Sequence, residues 1–212
     1  MKYLNYVLSG FVAGILIAFA GTIYFMCGDN HVVGALLFTF GLFMIMVLGC
    51  NLYTGKIGYM IENKNYLEVL FSLIGNLFGT VFIGLLLNLT KYKDYLYIHA
   101  LPKMEGKTDF DINSLISILV LSIFCGALMF LAYAARKKLE DKLGQYIALF
   151  LCVMVFILCG FEHSIANMYY ITVAHAWSFT IIIPLIVMIV GNAIGGIGTW
   201  AITTYLDKNM NH

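Results

Sequence analysis

The chain has 212 residues, of which 62% are hydrophobic and only 11% are charged. An ordinary soluble domain carries about 25% charged residues, and the 12 basic and 11 acidic residues of this chain cannot cover a soluble fold of its size. The net charge of +1 provides no basic surface for DNA or RNA. The composition therefore argues against a soluble enzyme, a disordered chain and a nucleic-acid-binding protein, and it indicates an integral membrane protein.

Six apolar stretches follow one another along the chain. A helix needs about 20 apolar residues to cross the hydrocarbon core of a bilayer, and the first, third, fourth and sixth stretches reach that length. The second stretch stops near Cys50 and the fifth near Phe161, where each meets polar, turn-prone sequence before a few more apolar residues. This pattern predicts that helices two and five are broken. The stretches lie at 6–26, 32–50, 69–89, 112–135, 146–161 and 177–206.

The helix that follows each interruption carries the same motif, G-N-x-x-G, at 75–79 and at 191–195. Each half of the chain holds three spans, an odd number, so the second copy must be inverted relative to the first. Inverted repeats with discontinuous helices are typical of channels and transporters, with the substrate path at the repeat interface. We therefore expect an all-α membrane fold with a single transmembrane channel domain over 1–212. Its parts are repeat one at about 1–90, an outer loop at about 90–111 and repeat two at about 112–212.

The basic residues predict the orientation of the chain, because Lys and Arg favour the cytoplasmic side of a membrane. With six spans and the N-terminus inside, eight of the 12 basic residues lie inside, including the run at 136–142. We therefore expect a multi-pass protein of the cell membrane with both termini in the cytoplasm and the 90–111 loop outside.

Glu162 and His163 stand in the second interruption, with apolar sequence on both sides. A charge at the centre of a bilayer costs about 2.5–3.5 kcal/mol on insertion scales, so such residues face protein or water. They either form a hydrogen-bonded pair that ties the broken segment to its neighbours, or line a path. An imidazole titrates near neutral pH. On that path His163 could offer a donor or a positive charge to a small anion, or hand a proton to a weak-acid anion.

In the first interruption Thr54 takes the place that corresponds to His163. It caps the next half-helix or lines the path, and the two roles are compatible because a half-helix N-terminus itself attracts anions. Lys56 either attracts anions in a cytoplasmic vestibule or, the favoured role, snorkels to the interface. Asn76 and Asn192 are expected to hydrogen-bond across helices or to the broken backbone. The sequence contains no metal-ligand motif and no phosphate-binding loop, so we expect no metal and no cofactor.

The segment Gly160–Tyr169 reads GFEHSIANMY and resembles the second signature of the formate/nitrite transporter family, G-F-E-H-S-x-A-N-M. The segment NLYTG at 51–55 resembles the first break of that family, which is usually acidic-Leu-Phe-Thr-Ser or similar. Both G-N-x-x-G motifs also fit the family. The resemblance extends from about residue 6 to residue 206.

The resemblance implies a homopentamer in which each protomer has an aquaporin-like fold and its own pore. Members of this family pass small monovalent anions of weak acids, such as formate, nitrite or hydrosulfide, and two apolar constrictions flank a central histidine. By this resemblance His163 matches the central histidine, Thr54 the threonine of the first break and Asn167 the asparagine after the histidine. The other matched positions are leucines near the constrictions, an outer aromatic gate and a vestibule lysine: Leu42, Leu52, Phe38, Phe156 and Lys107.

One departure concerns the fourth helix, in which the family commonly has a pore-facing asparagine. The counterpart in this chain is Gly126, next to Cys125, so that polar contact is expected to be missing.

The favoured function is a passive or proton-coupled channel for a small monovalent anion. A neutral-solute channel of the aquaporin type is the alternative, but that family has Asn-Pro-Ala boxes at both breaks. The chain has two prolines, Pro102 and Pro184, and neither adjoins a break. An intramembrane enzyme that uses Glu162 and His163 would lack a nucleophile or a second carboxylate in a convincing place, so we do not expect an enzyme.

Overall fold

The computed structural model of the protein describes residues 1–108 and 111–210, and this part consists of helices joined by turns and short loops. Part of the predicted outer loop and the last two residues of the predicted channel domain lie outside the described residues. The α-helices in chain order are α1 Lys2–Met26, α2 His31–Leu48, α3 Tyr53–Lys56, α4 Met60–Asn63, α5 Tyr66–Leu87, α6 Lys93–Ala100, α7 Ile112–Lys138, α8 Lys142–Leu158, α9 Ser164–Val173 and α10 Phe179–Met210. The 3₁₀ segment Ile57–Tyr59 joins α3 to α4, and a second 3₁₀ segment, Leu101–Met104, follows α6.

Within the described residues, five helices are long and apolar enough to cross a membrane: α1, α2, α5, α7 and α10. The fifth apolar stretch of the sequence, at 146–161, corresponds to the shorter apolar helix α8. Several helices extend beyond the apolar stretches, since α5 begins at Tyr66 and α10 continues to Met210. Hydropathy reports only the part of a helix that faces hydrocarbon, whereas its backbone hydrogen bonds continue into the polar ends.

The chain leaves helical geometry at both predicted interruptions, and a glycine marks each one. Gly49 follows α2 and Gly160 lies two residues after α8, and both have a φ of 68°. A left-handed backbone is accessible to glycine at little cost, and it is a common way to end a helix. A short extended segment follows each glycine before α3 or α9 begins.

Two helix pairs make the most extensive contacts, α1 with α5 and α7 with α10. Glycines bring their backbones together, because a Cβ on Gly14 would collide with the backbone of Asn76 and a Cβ on Gly126 with that of Asn192. Small residues are typical of such close packing in membranes. Gly126 therefore serves helix packing, and an asparagine in its place would require α10 to move.

The centre of the molecule is formed by α9, all ten residues of which are buried. The outer faces of the long helices are apolar as well, as shown by Val47, Phe82 and Leu85, each about half exposed. Large exposed apolar surfaces on a protein indicate contact with lipid or with other subunits. The fold thus places the two interruptions in the interior and leaves apolar surface outside.

Candidate functional site

The first interruption is anchored by Asn76, a buried residue of α5. Its side-chain oxygen accepts a hydrogen bond from the backbone N–H of Tyr53 at 2.9 Å. Its amide nitrogen donates to the carbonyl oxygens of Gly10, at 2.8 Å, and of Asn51, at 2.9 Å. One side chain therefore binds two backbone groups of the interruption and ties them to a carbonyl of α1.

Asn192 of α10 does the same for the second interruption. Its side-chain oxygen accepts from the backbone N–H of Ser164 at 2.9 Å, and its amide nitrogen donates to the carbonyl oxygens of Ser122 and Glu162 at 2.8 and 2.9 Å. An amide NH₂ has two donors, and both are used in Asn76 and in Asn192. The two asparagines therefore hold the broken backbone, as expected, and have no donor left for a ligand.

These matching bonds correct the correspondence that we expected between the two interruptions. The residue of the first interruption that is equivalent to His163 is Leu52. Each is the N-cap residue of the helix that follows, and in each case the backbone N–H of the next residue donates to an asparagine side chain. Thr54 lies two residues further on and makes no cap bond to α3. The N–H of Tyr53, at the start of α3, already donates to Asn76. The hydroxyl of Thr54 is not used as a cap and bonds outside α3.

Thr54 and His163 join the two interruptions. The Oγ1 atom of Thr54 lies 2.8 Å from Nε2 of His163, and both side chains are buried. The other ring nitrogen, Nδ1, accepts the backbone N–H of Ala166 at 3.1 Å. A neutral imidazole has one donor and one acceptor nitrogen, so this network assigns the proton to Nε2 and makes His163 the donor to Thr54.

Aromatic side chains cover one side of this pair. The ring of Phe156 stacks on His163 with centroids 5.5 Å apart, and Phe38 meets Phe156 edge to face at 6.0 Å. Leu42 and Leu52 are buried in the same apolar core. All four residues that the resemblance connects with constrictions are thus buried, and Phe156 is in direct ring contact with His163.

An ion pair lies beside the second interruption. Lys107 Nζ is 2.9 Å from Glu162 Oε1 and donates to Asn167 Oδ1 at 3.0 Å. Asn167 in turn donates to the second carboxylate oxygen of Glu162 at 2.8 Å. The side chain of Lys107 is only 4% exposed. Burial lowers the pKa of Lys107, and the adjacent Glu162 carboxylate opposes this effect by favouring the ammonium. Lys107 is therefore a buried member of the site.

Lys103 is the second lysine of this region, and it was not among the site residues predicted from the sequence. Its ammonium lies 5.3 Å from the ring centroid of Tyr24, and burial lowers its pKa, again opposed by Glu162. Lys103 lines a small cavity of about 40 Å³ together with Tyr24, Glu162 and His163. The signal in the sequence was its spacing, because Lys103 precedes Lys107 by four residues. In the structure Lys107 Nζ donates a hydrogen bond to the backbone carbonyl oxygen of Lys103 at 2.6 Å.

Lys56 lies at the other end of the site. It forms an ion pair with Glu68 of α5, and both side chains are partly exposed. It also lines a cavity of about 370 Å³ that reaches Gly55, next to Thr54. The sequence did not predict the carboxylate partner, which neutralises the charge of Lys56. Across residues 1–108 and 111–210, no three His, Cys, Asp or Glu side chains are grouped so that they could hold a metal ion.

Comparison with known proteins identifies the family. The family model described as formate/nitrite transporter matches residues 1–206. The chain is 30% identical over 184 residues to an uncharacterized transporter of Bacillus subtilis, YrhG, covering 79% of this chain and 68% of the relative. It is 28% identical over 185 residues to the formate channel BtFdhC of Bacillus thuringiensis, covering 79% and 70%.

Among solved structures, a pentameric formate channel with formate bound has a TM-score of 0.79 to this fold, at 22% identity over 97% of this chain and 98% of that one. A second solved structure, described as an FNT family ion channel, has a TM-score of 0.73 at 21% identity, over 96% of this chain and 88% of that one. At these identities the structural matches establish the fold. With the match of the family model over nearly the whole chain and the apolar helices, the protein is an integral membrane protein that belongs to the formate/nitrite transporter family, a family of channels and transporters.

Proposed function

We propose that this protein conducts small monovalent anions of weak acids, such as formate, nitrite or hydrosulfide, across the cell membrane. It does so as a homopentamer with one pore in each protomer, and each protomer consists of two inverted three-helix repeats. Membership of the family and the pentameric formate channel of similar fold support this proposal. The equivalent bonds of Asn76 and Asn192 at the two interruptions support the repeat.

The hydrogen bond between Thr54 and His163 is the observation that carries the proposal. Two buried neutral donors meet there, surrounded by apolar side chains. An arriving anion replaces Thr54 as the acceptor of the Nε2–H group. The hydroxyl of Thr54 can rotate and then donates its own proton to the anion. Hydrogen bonds are stronger in a site of low dielectric constant, so two neutral donors partly replace the hydration shell of a monovalent ion.

The second bond of His163 favours a neutral imidazole. A proton on Nδ1 would face the N–H of Ala166, and the bond that now caps α9 would be lost. We therefore propose that His163 acts as a hydrogen-bond donor while an anion passes, rather than as an imidazolium. Proton-coupled transport through His163 would require this cap to open in every cycle.

Charge and apolar barriers complete the proposed path. Lys103 attracts anions toward the mouth beside Glu162, and Lys107 balances the charge of the Glu162 carboxylate in this vestibule. We assign Phe38 and Phe156 to the outer constriction, next to that mouth, and Leu42 and Leu52 to the inner one. The basic run Arg136–Lys138 lies at the C-terminal end of α7. It supports an orientation in which the C-terminal end of α7 and both chain termini face the cytoplasm.

The test is anion flux in proteoliposomes over a range of pH, with wild type compared to His163→Asn. An asparagine can still cap α9, since Asn is among the best N-cap residues, but it lacks the Nε2–H donor. We expect formate and nitrite flux to fall by about tenfold, the effect of one hydrogen bond in a buried site, and the pH profile to change. His99→Asn, at an exposed position, is the matched control.

An unchanged flux and pH profile in His163→Asn would contradict the role of this residue. Water permeability without anion flux in the wild type would instead favour the neutral-solute channel. The same vesicles, measured by light scattering, distinguish these outcomes.

A further inference from the structure

The cavity of about 370 Å³ near Lys56 has a lining that the proposed path does not use. Its wall combines the end of α2, the segment around Gly55 and the last turns of α7, which contribute Tyr133 and Arg136. Gly55 directly follows Thr54 in the chain. A ligand in this cavity, which we name the Arg136 cavity, would therefore lie against the residue that follows Thr54 in the chain.

Two polar atoms at this cavity are buried and lack a hydrogen-bond partner, namely the hydroxyl of Tyr133 and the side-chain oxygen of Asn65. Throughout the part of the chain that the structure describes, only four buried side-chain polar atoms lack a partner, so half of them are found here. A buried polar group without a partner is unfavourable and calls for a ligand or water. Tyr133 can donate to an anion, whereas Asn65 Oδ1 can only accept, which suits a water molecule beside it.

The charge of the cavity is unevenly compensated. Two of its cations are paired with carboxylates, Lys56 with Glu68 and Lys137 with Glu62. Arg136 takes part in none of the ion pairs found between the described residues. The cavity therefore contains one guanidinium whose charge no carboxylate in direct contact neutralises.

Local packing holds the two candidate donors in place. Arg136 donates from Nη1 to the carbonyl oxygen of Met46 at 2.9 Å, which ties the guanidinium to the end of α2. The ring of Tyr133 packs directly on Gly55, so closely that a Cβ at that position would collide with it. Residues three apart on a helix share one face, so Tyr133 and Arg136 point to the same side of α7.

We propose that the Arg136 cavity is a second anion-binding site, built for a small planar anion with two oxygens, such as a carboxylate or nitrite. The free edge of the guanidinium binds both oxygens, and the Tyr133 hydroxyl donates to one of them. Bidentate binding to arginine favours two-oxygen anions, and hydrosulfide, with a single heavy atom, cannot make it. The site selects the anion and holds it beside Gly55, the residue that follows Thr54. The choice of ligand rests on the proposed function, whereas the binding site itself does not.

Cys50 provides a local probe, because it lines the same cavity and is not disulfide-bonded. In a variant whose other cysteines are replaced by alanine, the rate at which methyl methanethiosulfonate labels Cys50 is measured with and without sodium formate or sodium nitrite. We expect both anions to slow labelling. Tyr133→Phe and Arg136→Gln should each need at least about tenfold more anion for the same protection, as charge-assisted bonds are among the strong ones.

Lys138→Gln is the matched control, since Lys138 lies on the same helix but is exposed and paired with Asp207. It should keep full protection. Arg136→Lys preserves the charge without the planar fork and should lie between wild type and Arg136→Gln. Elution of each variant at the wild-type position in gel filtration shows that it is folded.

Two results would overturn the proposal: no protection in the parent protein, or equal protection in Arg136→Gln. Protection by phosphatidylglycerol but not by formate would assign the cavity to a lipid headgroup and would also overturn it. Intact protection in a protein that carries no anion across vesicles would contradict the proposed function and leave the site standing, so the two failures are distinguishable.

Discussion

The two interruptions share a backbone plan and differ in the side chains on it. Each begins after a left-handed glycine, Gly49 or Gly160, and each is held by one asparagine with three hydrogen bonds. The first continues into a single α-helical turn and a 3₁₀ segment, whereas the second continues into the fully buried helix α9.

The charges near the two interruptions differ in burial. Beside the second one, Lys107 and Glu162 form a buried pair at 2.9 Å that Asn167 completes. Beside the first one, Lys56 and Glu68 form a pair that is partly exposed to solvent. Both breaks have backbone groups without a helical partner, and in both an asparagine side chain binds them. The ion pairs beside the breaks are not needed for this purpose, and they differ in burial.

The largest expected effect is the loss of stability when the asparagine that holds each interruption is replaced. Asn76→Leu and Asn192→Leu each remove three hydrogen bonds from buried backbone groups. At about 1–3 kcal/mol for each unsatisfied group, we expect both variants to lose most of their folded protein, and to a similar extent. Thermal denaturation in detergent, followed by gel filtration, measures this loss. Asn5→Leu, at an exposed position of α1, is the control. A mild effect at only one asparagine would show that the two breaks are held differently.

The next effect tests the buried pair. Lys107→Met leaves the Glu162 carboxylate without its cation, and removing one partner of a buried ion pair costs about 3–5 kcal/mol. We expect a large loss of thermal stability in detergent, partly recovered when Glu162→Gln is added. The exposed pair Lys138–Asp207 supplies the control, Lys138→Met with Asp207→Asn. If the double variant at the buried site were no more stable than Lys107→Met, the carboxylate would not be the source of the loss.

A smaller effect tests the link between the interruptions. Thr54→Val keeps the shape of the side chain but leaves Nε2–H of His163 without its partner, at a cost of about 1–3 kcal/mol. We expect formate flux in proteoliposomes to fall several-fold, and Thr54→Ser to restore it. Thr80→Val is the control, because the hydroxyl of Thr80 bonds only to carbonyls of its own helix. Equal flux in Thr54→Val and wild type would speak against a path through this bond.

The smallest expected effect is on stability, when the partly exposed pair Lys56–Glu68 is broken. Lys56→Met breaks a pair that solvent already screens, and exposed pairs contribute about 0–1 kcal/mol. We expect its thermal stability to stay close to that of the wild type, in contrast to Lys107→Met. A loss as large as that of Lys107→Met would mean that Lys56 is buried in the assembled protein.

Much of the architecture could be predicted because hydrophobicity reports on membrane depth. Apolar stretches located the long helices, and the polar sequence after Cys50 and Phe161 located the interruptions. The role of Asn76 and Asn192 was also predictable, since broken backbone in an apolar interior needs partners. The residue-by-residue correspondence between the two interruptions was not predictable. The sequence comparison matched Thr54 to His163, whereas in the structure the residue equivalent to His163 is Leu52. Spacing within one segment does not show which residue bonds to the opposite helix.

The sequence by itself determined the class of protein, the number of apolar segments and the two places where polarity enters them, because these follow from composition along one chain. Only the tertiary structure decided which side chains meet: Thr54 with His163, Lys107 with Glu162, and Tyr133 on Gly55. These partners are far apart in sequence, and their contact depends on how glycine-lined helices pack. The physical reason is that hydropathy is a property of single residues, whereas a hydrogen bond or an ion pair is a property of two.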